Sequence, residues 1–233
     1  MGGDLTLYVT GNPLPGYLSV PTSPAPWPGV VVIHQAYGLD DDIRRITDRV
    51  GALGYLAVAP DLVETGRLRC LAGMFLDLAR GRGPSVEKAG SVVEWVRSRS
   101  DCSGQVGVLG FCTGGGIAYL LGATGKVQAI APNYGLAAPD ELLMRSCPVV
   151  ASYGGRDRLF ARQARRAARA LAAAGIDHDI KVYANAGHSF MNQAEGHRLT
   201  EALSRPLLAV AYDRTSAEDA WARIEAFFAQ HLH

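Results

Sequence analysis

The 233-residue chain has almost no charge imbalance, no long apolar run and few cysteines. Lys and Arg number 23 against 22 Asp and Glu, a formal net charge of +1. That balance supplies neither a basic stripe for nucleic acid nor a patch for an anionic membrane, so neither partner is expected. Nowhere do about 18 apolar residues follow one another, and Met1-Gly-Gly-Asp4 has neither the basic nor the apolar stretch of a secretory leader. A cytoplasmic protein is the expectation. The four cysteines, at 70, 102, 112 and 147, include no C-x-x-C pair and no Cys/His cluster at zinc spacing. Reduced thiols and no metal follow from that. Gly114, Gly115 and Gly116 do not complete G-x-G-x-x-G, because Tyr119 occupies the place of the third glycine. Gly125-Lys126 lacks the upstream glycine of a P-loop, so no nucleotide or other cofactor is expected. With no internal repeat and no shift in composition, residues 1–233 read as a single domain, a monomer or small homo-oligomer acting on a small molecule.

Apolar residues, by contrast, are plentiful at 48% and are organised. Asn12 to Pro28 is rich in proline and reads as a short edge strand around Gly16–Val20 followed by an exposed loop. Gly29 to His34 is a continuous apolar run, the pattern of a central strand covered on both faces. Leu39, Ile43, Ile46, Val50 and Leu53 then make one helical stripe, with Asp40, Asp41 and Asp42 where the helix dipole favours negative charge. Further strands are expected at Tyr55–Ala59, Gln105–Leu109, Val127–Ala131, Val149–Tyr153 and Asp179–Tyr183. Helices are expected around Val86–Val96, Gly114–Leu121, Ala161–Ala174 and Ala217–Leu232. Strands alternating with helices of this length predict an α/β fold: a mostly parallel central sheet flanked by helices on both faces.

In such a sheet chemistry collects on the loops at the carboxyl ends of the strands. One of them, in Gly107-Val-Leu-Gly-Phe-Cys-Thr-Gly-Gly-Gly116, holds a cysteine inside G-x-C-x-G. Gly110 and Gly114 bracket Cys112 as the small residues bracket a nucleophile in a sharp strand-to-helix turn. Such a turn lifts the thiol beside the positive end of a helix, which favours the thiolate. The plainer alternative is a buried free cysteine on a tight turn. Two more strand ends carry Asp157, in Gly154-Gly-Arg-Asp157, and His188, in Asn185-Ala-Gly-His188. Singly, Asp157 reads as a solvated loop acid and His188 as a polar loop residue. Together the order nucleophile, acid, His is that of an α/β-hydrolase triad, with Cys112 attacking a carbonyl, His188 moving its proton and Asp157 orienting His188.

These residues bring the chain close to a known family. It resembles the dienelactone hydrolases, or carboxymethylenebutenolidases, of the α/β-hydrolase superfamily. The resemblance rests on Val30–His34 with Tyr37-Gly-Leu39, Ala59-Pro-Asp-Leu62, Gly110-Phe-Cys-Thr-Gly-Gly115, Tyr153–Asp157 and Tyr183–Phe190. It implies the α/β-hydrolase fold, the triad Cys112, His188 and Asp157, and an oxyanion hole from the backbone N–H groups of Ala36 and Thr113. Gln35, Tyr37 and Asn192 are the expected substrate contacts. Two positions depart from the family pattern. Gln35 stands where a Glu usually contacts the resting thiol, and Asn192 where dienelactone-cleaving members carry an Arg for the substrate carboxylate. Losing that cation disfavours a small dicarboxylate-like lactone and leaves an ester, lactone or thioester without the carboxylate as the better substrate. Without a carboxylate at position 35, Cys112 and His188 are expected to meet already in the free enzyme. The alternative is a hydrolase-fold protein that binds or isomerises a small carbonyl compound without net hydrolysis.

Arg162, Arg165, Arg166 and Arg169 read as a solvated helix face. Arg67, Arg69 and Arg80 fall in a region that overhangs the pocket in such enzymes, with nothing to choose among them. His178, His197, His231 and His233 read as surface residues.

Overall fold

The computed structural model describes residues 2–9, 11–63, 67–193 and 209–232, and of residues 67–71 the backbone only. Arg67, Arg69, Cys70, His197 and His233 therefore lie outside the described side chains. The elements run β1 (Gly3–Val9), β2 (Asn12–Ser19), β3 (Trp27–Ile33), α1 (Asp41–Ala52), β4 (Leu56–Pro60), α2 (Arg67–Arg80), α3 (Pro84–Arg97) and β5 (Cys102–Phe111). They continue with α4 (Thr113–Gly122), β6 (Ala129–Asn133), α5 (Asp140–Leu143), β7 (Val149–Gly154), α6 (Ala161–Ala173), β8 (His178–Tyr183) and α7 (Arg214–His231).

The strands form one eight-stranded sheet in the order β1-β2-β4-β3-β5-β6-β7-β8. β1, β2 and β4 pair antiparallel, and from β4 onward every pairing is parallel. β3 explains why its sequence is apolar throughout. Val31 and Ile33 join the core cluster that also takes in Val92, Val93 and Val96 of α3, Ile117 to Leu121 of α4 and Ala164 of α6. Val30 and Val32 face the other way, into the cluster with Ile43, Ile46 and Val50 of α1 and Trp221, Ile224 and Phe228 of α7. Each such side chain removed from water contributes roughly 1.5–3 kcal/mol. A strand between two helical layers thus has no face left for polar residues. α1 starts where the acidic run predicts, with the Asp40 carboxylate accepting from Ile43 N–H at 2.9 Å.

Two expectations change, and one further stretch gains an element. The strand around Gly16–Val20 is Asn12–Ser19, and it lies inside the sheet, because β1 forms a hairpin with it and takes the edge. Its prolines are tolerated there because β4 pairs with β2 only over Gly16–Ser19, beyond Pro13 and Pro15. α2 occupies the stretch after Ala59-Pro-Asp-Leu62, and Arg80 in its last turn is exposed. Arg166 is not part of a solvated face, although Arg162, Arg165 and Arg169 are exposed. Its guanidinium donates to Ala137 O at 2.6 Å and Ala138 O at 2.8 Å and pairs with Asp140, fixing the loop after β6. Among the described residues no helix is long and apolar enough to cross a membrane.

Candidate active site

β5 runs straight into α4 through Cys112, whose backbone is at φ 53 and ψ −111. A side chain in that conformation is strained, and it persists because the turn is packed from all sides. A Cβ at Gly110 would come within 2.1 Å of Gly114 O, and one at Gly114 within 2.3 Å of Ile33 O. Both glycines are therefore required sterically. The second also lets the start of α4 press on the end of β3, which brings Cys112 and Thr113 beside the His34–Tyr37 loop. Thr113 is the first residue of α4, so its N–H has no intrahelical acceptor.

The other two strand ends converge just as closely. A Cβ at Gly154 would lie 2.2 Å from Gly187 O, so the loop after β7 rests directly on the loop after β8. Asp157 and His188 meet there, both buried, with relative exposures of 0% and 3%. The Asp157 carboxylate accepts from Leu159 N–H and Phe160 N–H through Oδ1, both at 3.0 Å. Its Oδ2 accepts from His188 Nδ1 at 2.6 Å. That bond fixes the tautomer and leaves the other ring nitrogen available to Cys112, whose sulfur is close enough to act on the charge of the imidazole. Burial alone would lower the pKa of His188. The Cys112 sulfur and the hydrogen bond to Asp157 outweigh it and raise the pKa to about 9. Asp213 caps α7, its carboxylate accepting from Ser216 N–H at 2.8 Å.

The loop after β3 is held by His34, which is wholly buried and whose pKa burial lowers. Its Nε2 accepts from Leu62 N–H at 2.9 Å, so Nδ1 carries the proton and donates to Gln35 O at 2.5 Å. Gln35 follows, 2% exposed, with Oε1 accepting from Ser189 Oγ at 3.2 Å. Its Nε2 is buried without a hydrogen-bond partner among the described residues. Ala36 and Tyr37, both half-buried, continue the same loop. Asn192, expected as a substrate contact, is 4% exposed, and both ends of its amide bond within the protein, to Tyr134 and to Asp42.

Several residues at this edge escape a sequence reading. The Tyr134 ring lies 5.1 Å from the His188 ring and that of Phe160 5.0 Å from it. Ser189 links the His188 loop to Gln35. The non-glycine residues with positive φ among those described are Cys112, Tyr134, Ser189 and Ala209. Three belong to the turns just described, and the fourth packs on Gly187, where a Cβ would lie 1.7 Å from Ala209 O. Three of these four strained backbones thus lie at the carboxyl edge of the sheet. Among the described residues no three His, Cys, Asp or Glu side chains converge as metal ligands.

Comparison with known proteins agrees with this geometry. The pattern that defines the dienelactone hydrolase family matches residues 14–232. A Yersinia pestis protein provisionally named a carboxymethylenebutenolidase is 28% identical, over 98% of this chain and 88% of its own length. A crystal structure from Klebsiella pneumoniae, provisionally named a dienelactone hydrolase, is 26% identical with a TM-score of 0.77, covering 99% of each chain. A dienelactone hydrolase-like promiscuous phosphotriesterase, P91, from metagenomic libraries superposes with a TM-score of 0.82 at 21% identity, over 100% of this chain and 99% of its own. The chain belongs to the dienelactone hydrolase family, has the α/β-hydrolase fold, and is a carboxylic ester hydrolase.

Proposed function

We propose that the protein hydrolyses a small ester, lactone or thioester through a covalent thioester on Cys112. The observation that carries this reading is the buried Asp157–His188 pair brought up to Cys112, on three loops at one sheet edge. The Cys112 sulfur attacks the substrate carbonyl and forms the C–S bond. The tetrahedral oxyanion is stabilised by the N–H groups of Ala36 and Thr113. His188 holds the proton given up by the Cys112 thiol and passes it to the leaving alkoxide or thiolate as the bond between that group and the acyl carbon breaks and the carbonyl re-forms. It then takes a proton from the water that attacks the thioester. Hydrolysis releases the acid and returns the sulfur to its starting state. Asp157 orients the imidazole and stabilises its charged form without touching substrate.

The surroundings narrow the substrate. Gln35 contributes an amide in place of a carboxylate, and Asn192, buried and bonded within the protein at both ends of its amide, supplies no cation for an anionic acyl group. Substrates lacking a carboxylate next to the scissile bond fit these surroundings better than dienelactone does. Family membership sides with hydrolysis over binding or isomerisation. The test is a panel of 4-nitrophenyl esters, lactones and acyl thioesters, with and without a carboxylate, against wild type and Cys112→Ala. Neutral members should be cleaved by wild type alone. Activity retained by Cys112→Ala, or confined to the carboxylate-bearing members, contradicts the reading.

A further inference from the structure

Behind His188 lies a second polar chain that the Asp157–His188–Cys112 line does not require. Asp42, in the first turn of α1, is 3% exposed. Its Oδ2 accepts from Asn192 Nδ2 at 2.6 Å, and its Oδ1 accepts from Gln193 N–H at 3.2 Å and from the Arg45 guanidinium. The Asn192 amide oxygen accepts from the Tyr134 hydroxyl. The Tyr134 ring then packs on His188 at 5.1 Å, its plane tilted by 60°.

The chemistry of the groups gives this chain a direction. A carboxylate accepts and cannot donate, so Asp42 decides that the N–H end of the Asn192 amide faces it. The oxygen end is left for Tyr134, whose hydroxyl must donate. Burial raises the Asp42 pKa, and the three N–H donors meeting the carboxyl group, together with the start of the helix, work against it in favour of the ionised form. Tyr134 needs such a hold. Its φ is +42, a conformation that costs a non-glycine residue about 1–3 kcal/mol and survives only where its surroundings fix it. Its backbone N–H is fixed by Ser152 O at 2.7 Å, and its side chain by Asn192.

We propose that Asp42 is a positioning residue for His188, acting through Asn192 and the Tyr134 ring to hold the imidazole where it reaches both Asp157 and Cys112. The proposal rests on the triad reading above. It makes α1, an element with no residue in the triad, part of the machinery that aligns it.

Coupling between positions tests this. Turnover of 4-nitrophenyl acetate is measured for wild type, Asp42→Asn, Tyr134→Phe and the double variant, with iodoacetamide alkylation of Cys112 at pH 7 as a readout that needs no substrate. Asp42→Asn keeps the shape but presents an N–H where only acceptance was possible, which frees the Asn192 amide to turn over. It should lower kcat roughly 10-fold with KM within about twofold, and slow alkylation in parallel, since small misplacements of a catalytic base are costly. In the Tyr134→Phe background the same change should cost less than about twofold, because the link is already cut. If Asp42→Asn does not fold, Asn192→Leu combined with Tyr134→Phe reads the same coupling. Multiplying fold-effects in the double variant, or an unchanged kcat and alkylation rate in Asp42→Asn, would overturn the relay while leaving Cys112 as the nucleophile. Turnover retained by Cys112→Ala would overturn the triad reading, and this proposal with it.

Discussion

A thiol lies at each end of α4, and the two have opposite surroundings. Cys112 caps the N-terminal end, half-buried, with His188 beside it. Cys147 meets the C-terminal end, its N–H donating to Gly122 O at 2.9 Å. Burial pushes the Cys147 thiol up to about 12, and the negative end of the helix dipole works in the same direction. Cys112 has the positive end of the helix and the Asp157–His188 pair beside it. The same side chain thus meets two opposite surroundings, and the proposed mechanism uses only that of Cys112.

The widest gap should appear on removing each thiol. Cys112→Ala is expected to lower ester turnover at least about 10³-fold. Cys147→Ala should stay within about twofold and cost about 1 kcal/mol of stability, read from activity assays and denaturant melts. Equal losses would erase the distinction between the two helix ends.

A smaller effect is expected from the partner that makes the N-terminal end special. Asp157→Asn should reduce kcat roughly 10²-fold with KM changed little, because Asp157 holds His188 and leaves the substrate alone. A change confined to KM would place Asp157 in the binding pocket. The smallest is Gln35→Glu. A carboxylate at that position repels a thiolate, so alkylation of Cys112 at pH 7 should slow by roughly 3–10-fold while that of Cys147 is unmoved. Faster alkylation would mean that Gln35 is a substrate-binding amide with no bearing on the resting thiol.

How legible these regions were differs for physical reasons. The elbow and the Asp157 and His188 loops could be read because each follows a strand and uses glycines that the packing demands. β1 was not read, since only Leu5, Leu7 and Val9 alternate in a short polar stretch, and without it β2 was assigned to the edge. Asp42 was legible as a charge suited to a helix start. Its burial was not, because its partners are residues 192 and 193, on a loop far along the chain. Arg166 looked like its exposed neighbours, and only the fold brings the Ala137 and Ala138 carbonyls to it.

The central claim is that Cys112 carries the acyl group, and trapping that group tests it most directly. Enzyme mixed with 4-nitrophenyl acetate, quenched in acid at early times and digested, should show one acetyl mass increment on the peptide containing Cys112. The increment should be absent in Cys112→Ala and should persist longer in Asp157→Asn, where deacylation is slowed. An acetyl group on another residue, or full turnover with no acylated Cys112 at any quench time, would contradict the account.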